Sequence, residues 1–320
     1  MESYDNLIHI SHIENNTEFS HLIPVINKQE KIAFAFIGGF EFEENNDFYD
    51  RLKFVQTITN MIRVAHENKR LYEQETEQKL LKKDIILASM IQSVLVPKKF
   101  PQSDKFQVSA FYKPFREIGG DYYDFIEFSE DEYFICMCDI SGKGIAAAMI
   151  MSNFQANPRL TIKKKGTLPE IISELNTSVY EVTKGDAFIT GFFAEYNKKL
   201  NTLKYINAGH NPPILLQSGN LSELGIGCSI LGAIKKLPSI IADTISLSPG
   251  SFLVTCTEGL TEASDKYYNL YGSENLKKFI LENNAEDMSL FIVKLIQQVQ
   301  QFSGKDMFDD DISMMCIRFD

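Results

Sequence analysis

Four short acidic stretches punctuate the last two-thirds of this chain, and each adjoins a run that reads as a β-strand. They are Ile118-Gly119-Gly120-Asp121-Tyr122-Tyr123-Asp124, Cys138-Asp139-Ile140-Ser141-Gly142-Lys143-Gly144, Thr257-Glu258-Gly259 and Asp309-Asp310-Asp311-Ile312-Ser313. Carboxylates at strand ends, beside glycines, suit hard divalent cations. Mg²⁺ and Mn²⁺ prefer oxygen ligands in near-octahedral geometry, and glycine lets the backbone come close enough for a main-chain carbonyl to join the shell. Carboxylates drawn from four distant points could hold two ions and activate water between them. An Asp after a strand is by itself more often a turn former than a ligand, so the joint pattern carries the signal. Asp139 is the sharpest member. It follows the apolar run Tyr133–Cys138, and a carboxylate at the mouth of a buried strand is costly unless it is paired or metal-bound.

The elements that must position these residues lie in 97–320. Strands are predicted at Phe106–Tyr112, Tyr122–Phe128, Tyr133–Asp139, Phe188–Tyr196, Leu203–Asn207, Ile214–Leu216, Phe252–Thr257 and Ile312–Phe319. Helices are predicted at Ile145–Lys164, Leu168–Thr183, Glu274–Glu282 and Asp287–Phe302, with Pro158 expected to kink or end the first. Strands dominate, short turns join them, and the helices come in two groups. That argues an α+β fold with antiparallel sheets rather than a doubly wound parallel one.

Upstream, 47–96 reads as one long helix ended by Pro97, with sevenfold spacing of Val55 and Ile62, of Ile58, Ala65 and Tyr72, and of Leu81, Ala88 and Leu95. The wholly polar Glu73–Lys79 breaks that register. A helix packed on its own protein is one reading, and a parallel coiled-coil linker between two protomers is the favoured one. Residues 1–46 give three short strands, at Leu7–Ile10, His21–Ile26 and Lys31–Ile37, too little chain for an ordinary independent domain. His9, His12 and His21 could suggest a metal site, but without a partner cluster they read better as strand histidines.

Composition excludes several classes. A net charge of −11 argues against nucleic acid as the main partner. No apolar run approaches membrane-spanning length, and the acidic start, Met1-Glu2-Ser3-Tyr4-Asp5, lacks a signal core. The five cysteines form no C-x-x-C pair, and four sit in apolar strand-like runs. They read as small buried hydrophobes in a reducing compartment, which places the protein in the cytoplasm. Two other leads are weak. Gly142-Lys143-Gly144 lacks the upstream glycine and the following Ser/Thr of a phosphate loop. Gly119-Gly120-Asp121 is shared with nucleotide cyclases carrying Gly-Gly-Asp/Glu-Glu-Phe, but Tyr122-Tyr123 stand where Glu-Phe would.

With the acidic stretches in this order, the chain resembles the metal-dependent PPM (PP2C-like) serine/threonine phosphatases, and more closely their bacterial RsbU/SpoIIE-type branch. The match runs from about Ile91 to the C-terminus and adds Asn207-Ala208-Gly209-His210-Asn211-Pro212-Pro213, Leu231-Gly232 and Leu260-Thr261-Glu262-Ala263 to the stretches above. The resemblance implies a four-layer α/β/β/α sandwich with two Mn²⁺ or Mg²⁺ ions at one end. It implies that Asp139 bridges both ions and that the Ile140 carbonyl completes one shell. Asp121 binds the first ion, supported by Asp124, and Glu258 and Asp310 hold the second. It further implies in-line attack of activated water on a phosphoserine or phosphothreonine, with no protein nucleophile, and a phosphorylated STAS-type anti-anti-sigma regulator as the partner. His210 reads as part of a structural turn rather than as a general acid. Glu258 departs from the family's usual Asp before Gly, and its extra methylene moves the carboxylate by roughly 1.5 Å, an error that metal sites tolerate poorly. A catalytically weak phosphoprotein-binding module is therefore the second reading. Residues 1–46 and the following helix are similar to the closing strands and exit helix of a GAF sensor domain, too truncated to promise a ligand pocket and suited to dimerisation or docking.

Overall fold

The computed structural model describes residues 8–9, 19, 21–27, 30–38, 46–164, 166–305 and 308–320. Packing divides the chain into two compact units, Met1–Lys83 and Asp84–Asp320. In the first, β1 (Ile8–His9), β2 (His21–Asn27) and β3 (Glu30–Ile37) form an antiparallel sheet, with a register shift between Val25 and Ile26. The helix α1 (Asn46–Leu95) then runs unbroken through 50 residues, about 75 Å at the standard rise. It includes the polar stretch and stops two residues before Pro97. His9 and His21 pair in register across β1 and β2, while His12 lies outside the described residues.

The second unit starts with β4 (Phe106–Lys113), β5 (Tyr122–Glu127) and β6 (Glu132–Ile140), followed by α2 (Ile145–Thr161) and α3 (Leu168–Thr183). Next come β7 (Ile189–Asn197), β8 (Thr202–Ala208), β9 (Ile214–Gln217), β10 (Asn220–Glu223), β11 (Gly227–Cys228), β12 (Asp243–Ser246) and β13 (Ser251–Cys256). The chain closes with α4 (Glu258–Thr261), α5 (Gly272–Asn283), α6 (Met288–Ser303) and β14 (Ile312–Phe319). One sheet has the order β10-β9-β13-β14-β4 and the other β11-β8-β7-β6-β5, with β12 added antiparallel to β8. Helices α2 and α3 lie against the second sheet, and α5 and α6 against the first. Together they make the α/β/β/α sandwich that the resemblance implies.

Two cores follow from the strand patterns. Between the sheets, Phe106, Tyr133, Tyr196 and Phe319 stack with ring centroids 4.7–6.2 Å apart. Under α5 and α6, Phe252, Phe279 and Phe291 form a second cluster. The helix α3 shows how locally the sequence can specify an element. Thr167 and Glu170 close a capping box, Pro169 sits in the first turn, and Lys184 in the left-handed region ends the helix.

Pro158 does not end α2 where the sequence suggests. It is buried inside the helix, which runs one turn further and then tightens into a 3₁₀ turn at Ile162–Lys164. Proline removes only one backbone bond this near a terminus, and the Ile162 N–H still reaches the Pro158 carbonyl.

Asp124 was expected to support Asp121, but its carboxylate is committed elsewhere. It accepts from Arg159 Nε and Nη2 of α2 at 2.8 and 2.7 Å and from Tyr122 Oη at 2.7 Å. This network ties α2 to β5. Arg159→Met leaves a buried carboxylate without its cation. The loss of stability should be about 2 kcal/mol, below the range for a fully buried pair because the guanidinium is half exposed. Urea unfolding measures it.

Candidate functional site

Antiparallel pairing brings the acidic stretches to one end of the sandwich. β5 begins where β6 ends, so Asp121, just ahead of Tyr122, meets Asp139, whose neighbour Cys138 pairs with Tyr122. In the other sheet β13 ends where β14 begins, with Cys256 opposite Met314, which places Glu258 beside Asp310. Hydrogen bonds then cross between the sheets. Thr257 Oγ1 donates to Asp121 Oδ2 at 2.8 Å and accepts from the Ser313 N–H at 2.9 Å. Asp311 accepts the Gly120 N–H on Oδ2 and the Phe115 N–H on Oδ1, both at 2.7 Å.

Glycine is required at two points of this junction. A Cβ at Gly119 would lie 2.3 Å from Asp311 Oδ2 and 2.4 Å from Tyr112 Oη, and one at Gly259 would lie 2.0 Å from the Asp311 carbonyl oxygen. The Ile140 carbonyl faces the same loop, 3.0 Å from where a Gly120 Cβ would stand. A further hold comes from α1. Gln92 Nε2 donates to the Gly119 carbonyl at 2.6 Å, and the Gly119 N–H donates to Gln92 Oε1 at 3.2 Å.

The electrostatics are those of crowded carboxylates. Burial, then the charges of Asp139 and Asp311, raise Asp121 well above the usual carboxylate range, opposed by hydrogen bonds from Ser313 and Thr257. Burial, then Glu258, Asp310 and Asp311, push Asp139 up to about 7. Glu258 is raised by burial and by Glu262 and Asp310, and Asp311 chiefly by burial. Lys143 is the cation that acts on several of them. Its Nζ lies 2.7 Å from Asp310 Oδ2, and its charge also favours ionised Glu258 and Asp311.

Among the described residues, no group of three or more Asp, Glu, His or Cys side chains stands close enough together to hold a metal ion. The donor set nonetheless fits hard divalent cations. It is all oxygen, it is short of positive charge, and its two most buried members, Asp121 and Asp139, touch each other.

His210 is buried, and burial lowers it to about 4, so the ring is neutral. Its Nδ1 lies 3.2 Å from Thr190 Oγ1, and the Asn207 side chain closes the turn by bonding both the N–H and the carbonyl of His210. The next residue, Asn211, donates to Thr261 Oγ1 of α4 at 3.0 Å. This is the packed turn read from the sequence. The sequence reading did not single out Thr257, Asp311 or Gln92, and it set Lys143 aside.

The sandwich and the carboxylates at its end define a PP2C-like domain, the fold class of metal-dependent serine/threonine phosphatases. The family described as Stage II sporulation protein E (SpoIIE) matches residues 129–320, and the chain belongs to that family. Protein IcfG of Synechocystis sp. is 23% identical over 323 residues, which cover 92% of this chain and 51% of IcfG. The chain thus spans about half the length of that relative. Phosphoserine phosphatase RsbU of Bacillus subtilis is 26% identical over 247 residues, covering 75% of this chain and 71% of RsbU. Among solved structures, the SiaA-PP2C domain of Pseudomonas aeruginosa shares the fold with a TM-score of 0.66 at 19% identity, covering 76% of this chain and 99% of that one.

Proposed function

We propose that this protein is a metal-dependent phosphatase that hydrolyses phosphoserine or phosphothreonine on a signalling protein of the STAS-type anti-anti-sigma class. The observation that carries the proposal is the placing of buried Asp121 and half-buried Asp139 at one end of a PP2C-like sandwich, near enough to Glu258 and Asp310 for their charges to act on Asp139. In this reading Asp139, Asp121 and the Ile140 carbonyl would hold one ion, and Glu258 and Asp310, with Asp139, would hold a second. Bound Mg²⁺ or Mn²⁺ would supply Lewis acidity and a nucleophilic water at neutral pH. The chain's own residues prepare that chemistry. Thr257 fixes the rotamer of Asp121, Asp311 holds the Gly120 backbone, and His210 is held inside its turn by Asn207, so its role in this reading is structural.

Regulation runs through α1 in this reading. Ile58, Ile62, Tyr72 and Leu81 are exposed on the helix, and we assign them to a homodimer seam, with the GAF-like strands as a dimerisation or docking element. Gln92 then joins the helix to the loop of Asp121. Four of the five cysteines are buried in strands and all are unpaired, which suits a cytoplasmic protein.

The test is hydrolysis of a phosphoserine peptide and a phosphorylated STAS protein during titration with Mn²⁺ and Mg²⁺, with mass in solution measured alongside. Phosphate release that needs the metal and saturates with it is expected. Release insensitive to chelator rejects the proposal, and a monomer at all concentrations rejects the seam.

A further inference from the structure

We propose that Lys143 is a tethered counterion that occupies Asp310 in competition with a divalent cation and so sets the concentration at which the metal binds. The inference rests on the metal-site reading above. It starts from position. Lys143 follows Asp139 by four residues, in a loop whose flanking Gly142 and Gly144 have φ of +94° and +71° with open space on the side-chain side. Those left-handed turns let the loop arch over the sheet end and aim the lysine back across it. The ammonium lies 2.7 Å from Asp310 Oδ2 and 3.3 Å from the Asp309 carbonyl, and 5.6 Å from the centroid of the Phe115 ring. It therefore sits on an oxygen assigned to the metal, and acts across space on Glu258 and Asp311 as well.

The contact is built to be surrendered. The lysine side chain is 54% exposed, and an exposed ion pair holds weakly. The flexible four-carbon stem lets the ammonium withdraw to water without moving the backbone. A doubly charged ion gains more than an ammonium from the same crowded carboxylates, so it can displace the lysine, but only above a threshold concentration.

Removing the charge has opposite consequences for the two states. With metal present, it frees Asp310 Oδ2 and deepens the negative potential, and both changes tighten binding. Without metal, it leaves the carboxylates to repel one another, and the fold weakens. A lysine with a merely structural role would lower both quantities together.

The experiment uses the full chain. Mn²⁺ affinity of Lys143→Met is measured by calorimetry, and its thermal unfolding is followed in chelator. Mn²⁺ should bind about tenfold more tightly than to wild type, while the chelated protein melts at a lower temperature. Lys143→Arg, which keeps the charge, should stay near wild type in both. Should the methionine variant not fold, Lys143→Gln serves in its place with the same expected pair of changes. Unchanged or weaker Mn²⁺ binding by the folded variant overturns the proposal. An Asp139→Asn control that binds Mn²⁺ as tightly as wild type overturns the metal-site reading itself, and the inference with it.

Discussion

Asp139→Asn should abolish metal-dependent phosphate release while making the metal-free protein more stable. The first half follows from the assignment of Asp139 to both ions. Losing a ligand shared by two cations removes several kcal/mol of charge stabilisation, about a thousandfold or more in rate. The second half follows from its surroundings. Burial and the charges of Glu258, Asp310 and Asp311 push the Asp139 carboxyl up to about 7, from an ordinary 3.8. The folded chain therefore holds this proton more tightly than the unfolded chain does. Folding takes up a proton between about pH 4 and pH 7, and stability falls as pH rises through that window. Asparagine carries no charge to repel and no proton to exchange, so the variant should show a flatter profile and a higher melting temperature near pH 8. Chelated protein melted across pH 4–8 measures this, beside phosphate release in Mn²⁺. A variant that is inactive and also destabilised would point to a folding defect instead, and one that keeps its activity rejects the assignment.

Legibility in the sequence divided along physical lines. Strands buried on both faces, such as Glu132–Ile140 and Ser251–Cys256, announce themselves as apolar runs, and α3 carries its own start and stop signals. The edges do not. Asn220–Glu223 and Asp243–Ser246 are short and mostly polar, and Gly227–Cys228 is two residues long, so no periodicity marks them. At the site, the acidic stretches were visible because carboxylates beside glycines at strand ends form a pattern. Their division of labour was not. In Asp309-Asp310-Asp311, three identical residues carry no signal to say which holds backbone N–H groups and which faces Lys143. Lys143 was set aside because its loop fails as a phosphate signature, and its partner is far away in sequence. Gln92 is buried in a helix whose sevenfold pattern says nothing about a polar side chain folding onto Gly119. Such contacts are tertiary, and only the closed sandwich makes them.

Glu258→Asp decides between the two readings of the family departure. If the longer side chain marks a decayed site, restoring the shorter one should raise hydrolysis. The surroundings argue the reverse. Glu258 opens the one-turn helix α4, whose position is fixed from three sides. The Thr257 N–H bonds the Ser313 carbonyl, Gly259 packs against the Asp311 backbone, and Asn211 holds Thr261. With the backbone pinned, the reach of the side chain sets where its oxygens stand. The Glu258 carboxylate already feels Asp139 and Asp310 from this backbone position. Aspartate would retract the oxygens by about one C–C bond, and a misplacement near 1 Å can cost about a hundredfold in rate. The expected result is a drop of that order in kcat, with weaker Mn²⁺ binding and unchanged unfolding in chelator. The fold should be indifferent because α4 is anchored through residues on either side of position 258. A gain in kcat from the same substitution would instead favour the weak phosphoprotein-binding reading, and binding of a phosphorylated STAS protein without turnover by wild type would be its positive sign.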